Sequence, residues 1–150
     1  GRMQLRVSVQ NAAGQVLDSS TNDVNVPDYT LPQVSLGTPR LFRARTPRDV
    51  QAVKGNPSAT PSPDRTFARN ERLLVRVDAY GPGSTRPVVT ARLLNRAGTS
   101  MFDVPVQDAE AGAAELELMF SSLAAGEYLL ELNAKAGDGS AQEMVAFKVR

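Results

Sequence analysis

Apolar residues recur at every second position through most of this chain, and that period constrains its fold more than any other feature. Met3, Leu5, Val7 and Val9 alternate with Gln4, Arg6, Ser8 and Gln10. A period of two places alternate side chains on opposite faces of an extended backbone, so this stretch predicts a half-buried β-strand. Asn11 to Gly14 supplies a turn, and a weaker strand runs from Val16 to about Val26, ended by Pro27 and Asp28. The first unit is therefore expected to be a β-hairpin.

The alternation continues downstream. A strand is expected over Val34 to about Ala44, at a sheet edge because Pro32 and Pro39 cannot donate to a ladder. The clearest strand is Glu71 to Tyr80, with Leu73, Val75, Val77 and Ala79 on one face and Arg72, Leu74, Arg76 and Asp78 on the other. Further strands are expected at Pro87–Asn95, Met101–Val106, Ala114–Phe120, Tyr128–Ala134 and around Val145, Phe147 and Val149. Asp138-Gly139 is a hairpin signal between the last two. Helical periodicity is hard to find beyond one turn at Ser121–Gly126. About seven short strands separated by turn signals predict an all-β, immunoglobulin-like antiparallel sandwich for residues 31–150, with the N-terminal hairpin attached.

Between Arg45 and Arg65 the pattern lapses and Pro47, Gly55, Pro57, Pro61 and Pro63 accumulate. Connections longer than about 12–15 residues are unusual in compact domains, so this Pro-rich insertion at about 45–65 is expected to be poorly ordered, with room for a helical turn.

What the chain lacks narrows its chemistry. Cysteine and histidine are both absent from its 150 residues. That removes disulfides, thiolate nucleophiles, the commonest zinc ligand and the usual general base near neutral pH. No catalytic residue, cofactor or metal site is assigned. Net charge is +1, so nothing in the balance points to nucleic acid. No apolar run approaches the roughly 18 residues that a membrane-inserted helix needs. Gly1-Arg2-Met3 is not a natural start, which implies that the chain begins inside a larger protein or at an engineered junction.

Leu123-Ala-Ala-Gly126-Glu-Tyr128-Leu-Leu-Glu-Leu-Asn-Ala134 resembles the start of the penultimate strand in bacterial immunoglobulin-like and fibronectin type III-like domains. The resemblance makes Tyr128, with Gly126 and Leu123, a tyrosine corner, in which the ring is buried and the hydroxyl bonds backbone a few residues upstream. A looser likeness spans nearly the whole chain. Val26-Pro27-Asp28-Tyr29, Arg65-Thr-Phe67 leading into Glu71–Tyr80, and Glu143-Met-Val-Ala-Phe147-Lys-Val149 are similar to the C-terminal region of bacterial proteins related to von Willebrand factor type A domains. That resemblance implies that residues 1–30 close a preceding β-domain, that 31–150 is a terminal one, and that the protein is exported. The Asp-x-Ser-x-Ser metal motif of a type A domain is missing, so no ligand site carries over.

Charge is uneven along the chain. Arg40, Arg43, Arg45, Arg48, Lys54, Arg65, Arg69 and Arg72 crowd one stretch, while Asp103, Asp108, Glu110, Glu115, Glu117, Glu127 and Glu131 fill another. A sandwich would set outward Arg72 and Arg76 across from Glu115 and Glu117, and Arg92 near Glu131. Cross-strand pairs of this kind fix register, and they compete directly with a polyanion-binding reading. Gly81-Pro-Gly83 reads as a turn rather than a phosphate cradle, since the Lys-Ser/Thr pair is missing. Asp138, or Asp108 with Glu110, falls short of the six to eight oxygens, roughly, that calcium takes. Glu115 and Glu117 form a solvated strand face rather than a glycosidase pair, and Tyr29 with Tyr80 would make only a thin sugar platform.

Two functions remain from the sequence. The first is a non-catalytic accessory module that spaces or docks neighbouring domains or another protein. The alternative is a binding module for carbohydrate or another extracellular ligand on its end loops. If the hairpin belongs to a neighbour, its apolar face must pack on the sandwich, pair with a second copy as a truncation dimer, or stay exposed.

Overall fold

A computed structural model describes residues 1–26, 28, 32–109 and 112–150. The expectations placed on Pro27, Tyr29 and Glu110 lie outside the described residues. The chain divides into two compact units, Gly1–Leu31 and Pro32–Arg150.

The first unit is a hairpin of β1 (Arg2–Gln10) and β2 (Val16–Asn25), paired antiparallel from Arg2↔Asn25 to Val9↔Asp18 with a bulge beside Gln10. The turn is held by the Asn11 side chain, whose Oδ1 accepts from the amides of Ala13 and Gln15. Gly14 sits at φ +79°, a left-handed conformation that glycine adopts without steric penalty. The half-buried expectation for β1 is corrected here. Every residue of β1 is exposed, with Met3, Leu5, Val7 and Val9 about half accessible. The pattern encodes a buried face, but this unit offers it no partner.

The second unit is an all-β, immunoglobulin-like sandwich. One sheet orders β10 (Val106–Asp108), β11 (Ala114–Met119), β6 (Arg72–Val77) and β4 (Arg40–Ala44). The facing sheet orders β5 (Thr66–Phe67), β13 (Gly139–Val149), β12 (Gly126–Ala136), β8 (Val88–Asn95) and β9 (Ser100–Val104). All pairings in these two sheets are antiparallel except β5 with β13, which is parallel. The order matches the constant-type immunoglobulin plan, with β9 added at one edge of the larger sheet and β5 at the other. Two short pieces, β3 (Ser35–Leu36) and β7 (Ala79–Tyr80), pair separately. The single strand expected over 34–44 is thus split at Gly37–Pro39. Proline lacks an amide donor, and the Gly37 amide bonds the Asp78 carbonyl instead.

Inward residues from both sheets build one core around Leu73, Val75, Leu93, Leu130 and Leu132, all fully buried. At one end Phe67, Phe120 and Phe147 meet with ring centroids 5.3–6.3 Å apart, and Tyr128 stacks on Phe147 at 5.8 Å. Such aromatic contacts add to the area they bury.

The 45–65 insertion is not the poorly ordered loop expected. It holds a helix, α1 (Pro47–Lys54), with a complete set of end signals. Thr46 caps the start and Asp49 reaches back to the Thr46 amide, forming a capping box, while Pro47 fills the first turn. The amides of Thr46 and Arg45 hold the Asp49 carboxyl below its ordinary pKa. The signal was legible in Thr-Pro-x-Asp, but proline count outweighed it. Val50 of this helix packs with Phe42, Ala44 and Leu74 in a second, smaller core on the outer face of the first sheet. Leu74 is therefore fully buried despite pointing away from the sandwich interior. Among the described residues no helix is long and apolar enough to cross a membrane.

Candidate functional site

Tyr128 lies on β12 as the tyrosine-corner pattern requires. Its ring is buried and its hydroxyl donates to the Ala124 carbonyl at 2.8 Å, with Leu123 buried in the preceding turn. Gly126 opens the strand, and a side chain there would come within 3.9 Å of the Tyr128 ring. Tyr128→Phe is expected to cost about 1 kcal/mol, because only one hydrogen bond is lost and exposed Ala124 can turn to water. A urea titration checks this.

The charges sort into networks. Arg76 stands directly opposite Glu115 across β6 and β11, and its guanidinium donates to Oε2 at 2.9 and 3.2 Å. Arg72 reaches diagonally to Glu117 at 2.6 Å. The outward, solvated setting expected for Arg76 and Glu115 is corrected, since both are buried. Helix α1 covers them. Arg76 also donates to the carbonyls of Val53 and Asn56 at its C-terminal end, and its guanidinium lies over the Phe42 ring. A cation there satisfies orphan carbonyls and meets the negative end of the helix dipole. Lys54 adds a second contact to Glu115 at 3.4 Å.

Arg92 does stand opposite Glu131 in register, but the expected ion pair is replaced. Arg92 turns to Asp103 on β9 at 3.1 Å, and Glu131 accepts from the Asn133 amide. The sequence predicts a strand at Met101–Val106 but does not place it beside β8, and so misses the acid that competes for Arg92.

A further network was not foreseen. Glu71, only 4% exposed, accepts from the Ala68 amide and from Arg43 and Arg45. Arg43 also binds Asp64 and the Thr66 carbonyl, and lies 4.7 Å from the Phe67 ring centroid. Burial pushes the Glu71 carboxyl up, but the Ala68 amide and the arginines outweigh it and hold it below the ordinary 4.5. Arg40 donates from Nη2 alone to both carboxylate oxygens of Asp78. This draws Arg40 away from Arg76, its like-charged register partner. These partners are set by pairing β4 with β6, across a helix and more than a turn of sequence, so no local spacing announces them.

The basic stretch is largely consumed by this bonding, which leaves few free cations on that sheet for a polyanion. Gly81 belongs to a tight turn: a side chain there would collide with the Thr85 carbonyl. Asp138 lies in the β12–β13 hairpin turn. Among the described residues no group of three or more acidic side chains is placed to hold a metal ion. Tyr80 is partly exposed.

Four surface depressions lie among the described residues, the smallest, of about 270 Å³, beside Lys54, Arg72 and Glu117. Cavities of about 330 and 400 Å³ share Val89 and Val106 along the margin where the chain leaves β9 for β10. The fourth, of about 510 Å³, lies on the outer face of the larger sheet near Arg65, Leu129 and Lys148, with a mainly apolar lining. Comparison with known families finds no matching family model, and comparison with curated proteins finds no match.

Proposed function

We propose that this chain is a non-catalytic accessory module of a larger exported bacterial protein, in which the sandwich spaces or docks its neighbours. One observation carries the reading. The sandwich closes its own core, whereas the hairpin of residues 1–26 has nothing within its own unit to bury its apolar face. A two-stranded hairpin is marginal alone in water, and needs a third strand or a covering layer for stability. Residues 1–30 then belong to a neighbouring β-domain that supplies the missing strands, as in the C-terminal regions of von Willebrand factor type A-related proteins that the sequence resembles. The fibronectin type III-like strand pattern around Tyr128 and the commitment of buried acids to arginines support a scaffold rather than a reacting site.

A chain beginning at Pro32 tests this. It is expected to be monomeric and to melt at the same temperature as the sandwich within the full chain. Loss of cooperative unfolding in the shorter chain would show that the hairpin is integral to the domain, and the reading would fall.

A further inference from the structure

We propose that the depression on the outer face of the larger sheet is a docking site for an acidic peptide segment carrying an apolar side chain. The register of β12 and β13 builds its floor. Ala146 of β13 faces Leu129 of β12, and neither belongs to the core clusters, so this apolar pair lies on the sheet's outer side. In the next row Lys148 faces Glu127 on one side and Thr66 on the other. Arg65 and Arg96 complete the rim. A depression of about 510 Å³ with an apolar floor and a few polar groups has the dimensions of a ligand-binding surface.

Charge decides the occupant. Three cations, Arg65, Arg96 and Lys148, face a single carboxylate, Glu127, on a chain whose net charge is only +1. Arg96 touches Glu127 at 3.3 Å in a pair exposed on both sides, which an incoming carboxylate can exchange. The side chains of Arg65 and Lys148 are engaged by no ion pair among the described residues. This contrasts with the first sheet, where Arg40, Arg43, Arg72 and Arg76 are all neutralised. A second copy would bring the same cationic rim and be repelled. A nucleic acid would favour exposed stacking aromatics, whereas the two aromatic residues at this depression, Tyr128 and Phe147, are buried in the core. Carboxylates flanking a leucine-like side chain match both rim and floor. The site refines the docking role proposed above and rests on it, but it lies wholly within the sandwich, so the shortened-chain test bears on the hairpin alone.

The probe is an acetylated, amidated pentapeptide alternating aspartate and leucine, titrated into the ¹⁵N-labelled full chain. Saturable amide shifts are expected at residues 65–66, 96, 127–129 and 146–148, weakening several-fold as salt rises. The double variant Arg65→Glu, Lys148→Glu alters only exposed side chains. It is expected to keep the parent melting temperature and lose about tenfold or more in affinity. Equal shifts with the lysine–leucine counterpart, non-saturating shifts spread over the chain, or unchanged affinity in the double variant would overturn the proposal. If that variant melts early, Lys148→Gln replaces it, and undiminished binding there counts against the site.

Discussion

Glu115→Ala is expected to destabilise the sandwich by about 3–5 kcal/mol, the usual penalty for stripping one partner from a buried ion pair. The carboxylate balances two cations, Arg76 and Lys54, beneath helix α1. Without it Arg76 keeps the Val53 and Asn56 carbonyls but holds an uncompensated charge with a side chain only 7% exposed. The double replacement Arg76→Met with Glu115→Leu is expected to recover most of the loss, since apolar side chains of similar volume often substitute for a buried pair. Urea unfolding of the three proteins measures both effects. A single-variant loss below about 1 kcal/mol would match an exposed pair and contradict the helix-covered geometry.

Glu71→Ala is expected to cost a similar amount, about 3–5 kcal/mol, by leaving Arg43 without its buried counter-charge and the Ala68 amide without its acceptor. Glu71 also gives the protein an acid-sensitive contribution. Its folded pKa is held below the ordinary 4.5, so the folded state favours the ionised carboxylate. The contribution is fully present above the unfolded value and fades as pH falls below 4.5 through the depressed folded pKa. Melting temperatures measured between about pH 7 and 3 should therefore fall less steeply at the acid end in Glu71→Gln than in the parent. Identical acid slopes in the two proteins would exclude Glu71 as a source of the pH dependence.

Strand existence and facing were readable because period-two alternation reports a property of each strand alone. Leu73, Val75 and Val77 point inward, and Tyr128, Leu130 and Leu132 do the same, as the alternation demands. The tyrosine corner came from the likeness of Leu123–Ala134 to immunoglobulin-like domains rather than from alternation, and its bond is local: Tyr128 bonds Ala124, four residues away. Contacts that depend on a third element were not readable. Arg76 and Glu115 pair across the register anticipated for them, yet their burial comes from a helix that proline content concealed. Arg92 found Asp103 rather than Glu131 because two strands flank β8, and alternation does not rank neighbours. Glu71 gave no signal, since its arginines lie on β4 and just beyond it. The depression around Leu129 is likewise a product of three strands meeting, with Arg96 contributed from the turn between β8 and β9.

The parallel pairing of β5 with β13 sets a timetable for the molecule. Thr66 and Phe67 find their ladder partners only in Lys148 and Val149, about eighty residues further along the chain. Phe67 is fully buried against Phe120 and Phe147, so one end of the core stays open until the last strand arrives. During vectorial synthesis the hairpin of residues 1–26 emerges long before β13 arrives to close the sandwich. Non-local pairings of this sort fold slowly and leave strand edges open to neighbours meanwhile. A nascent chain arrested before β13 would thus hold an unfinished sandwich, and the arrival of β13 would be the step that lets this end of the core close.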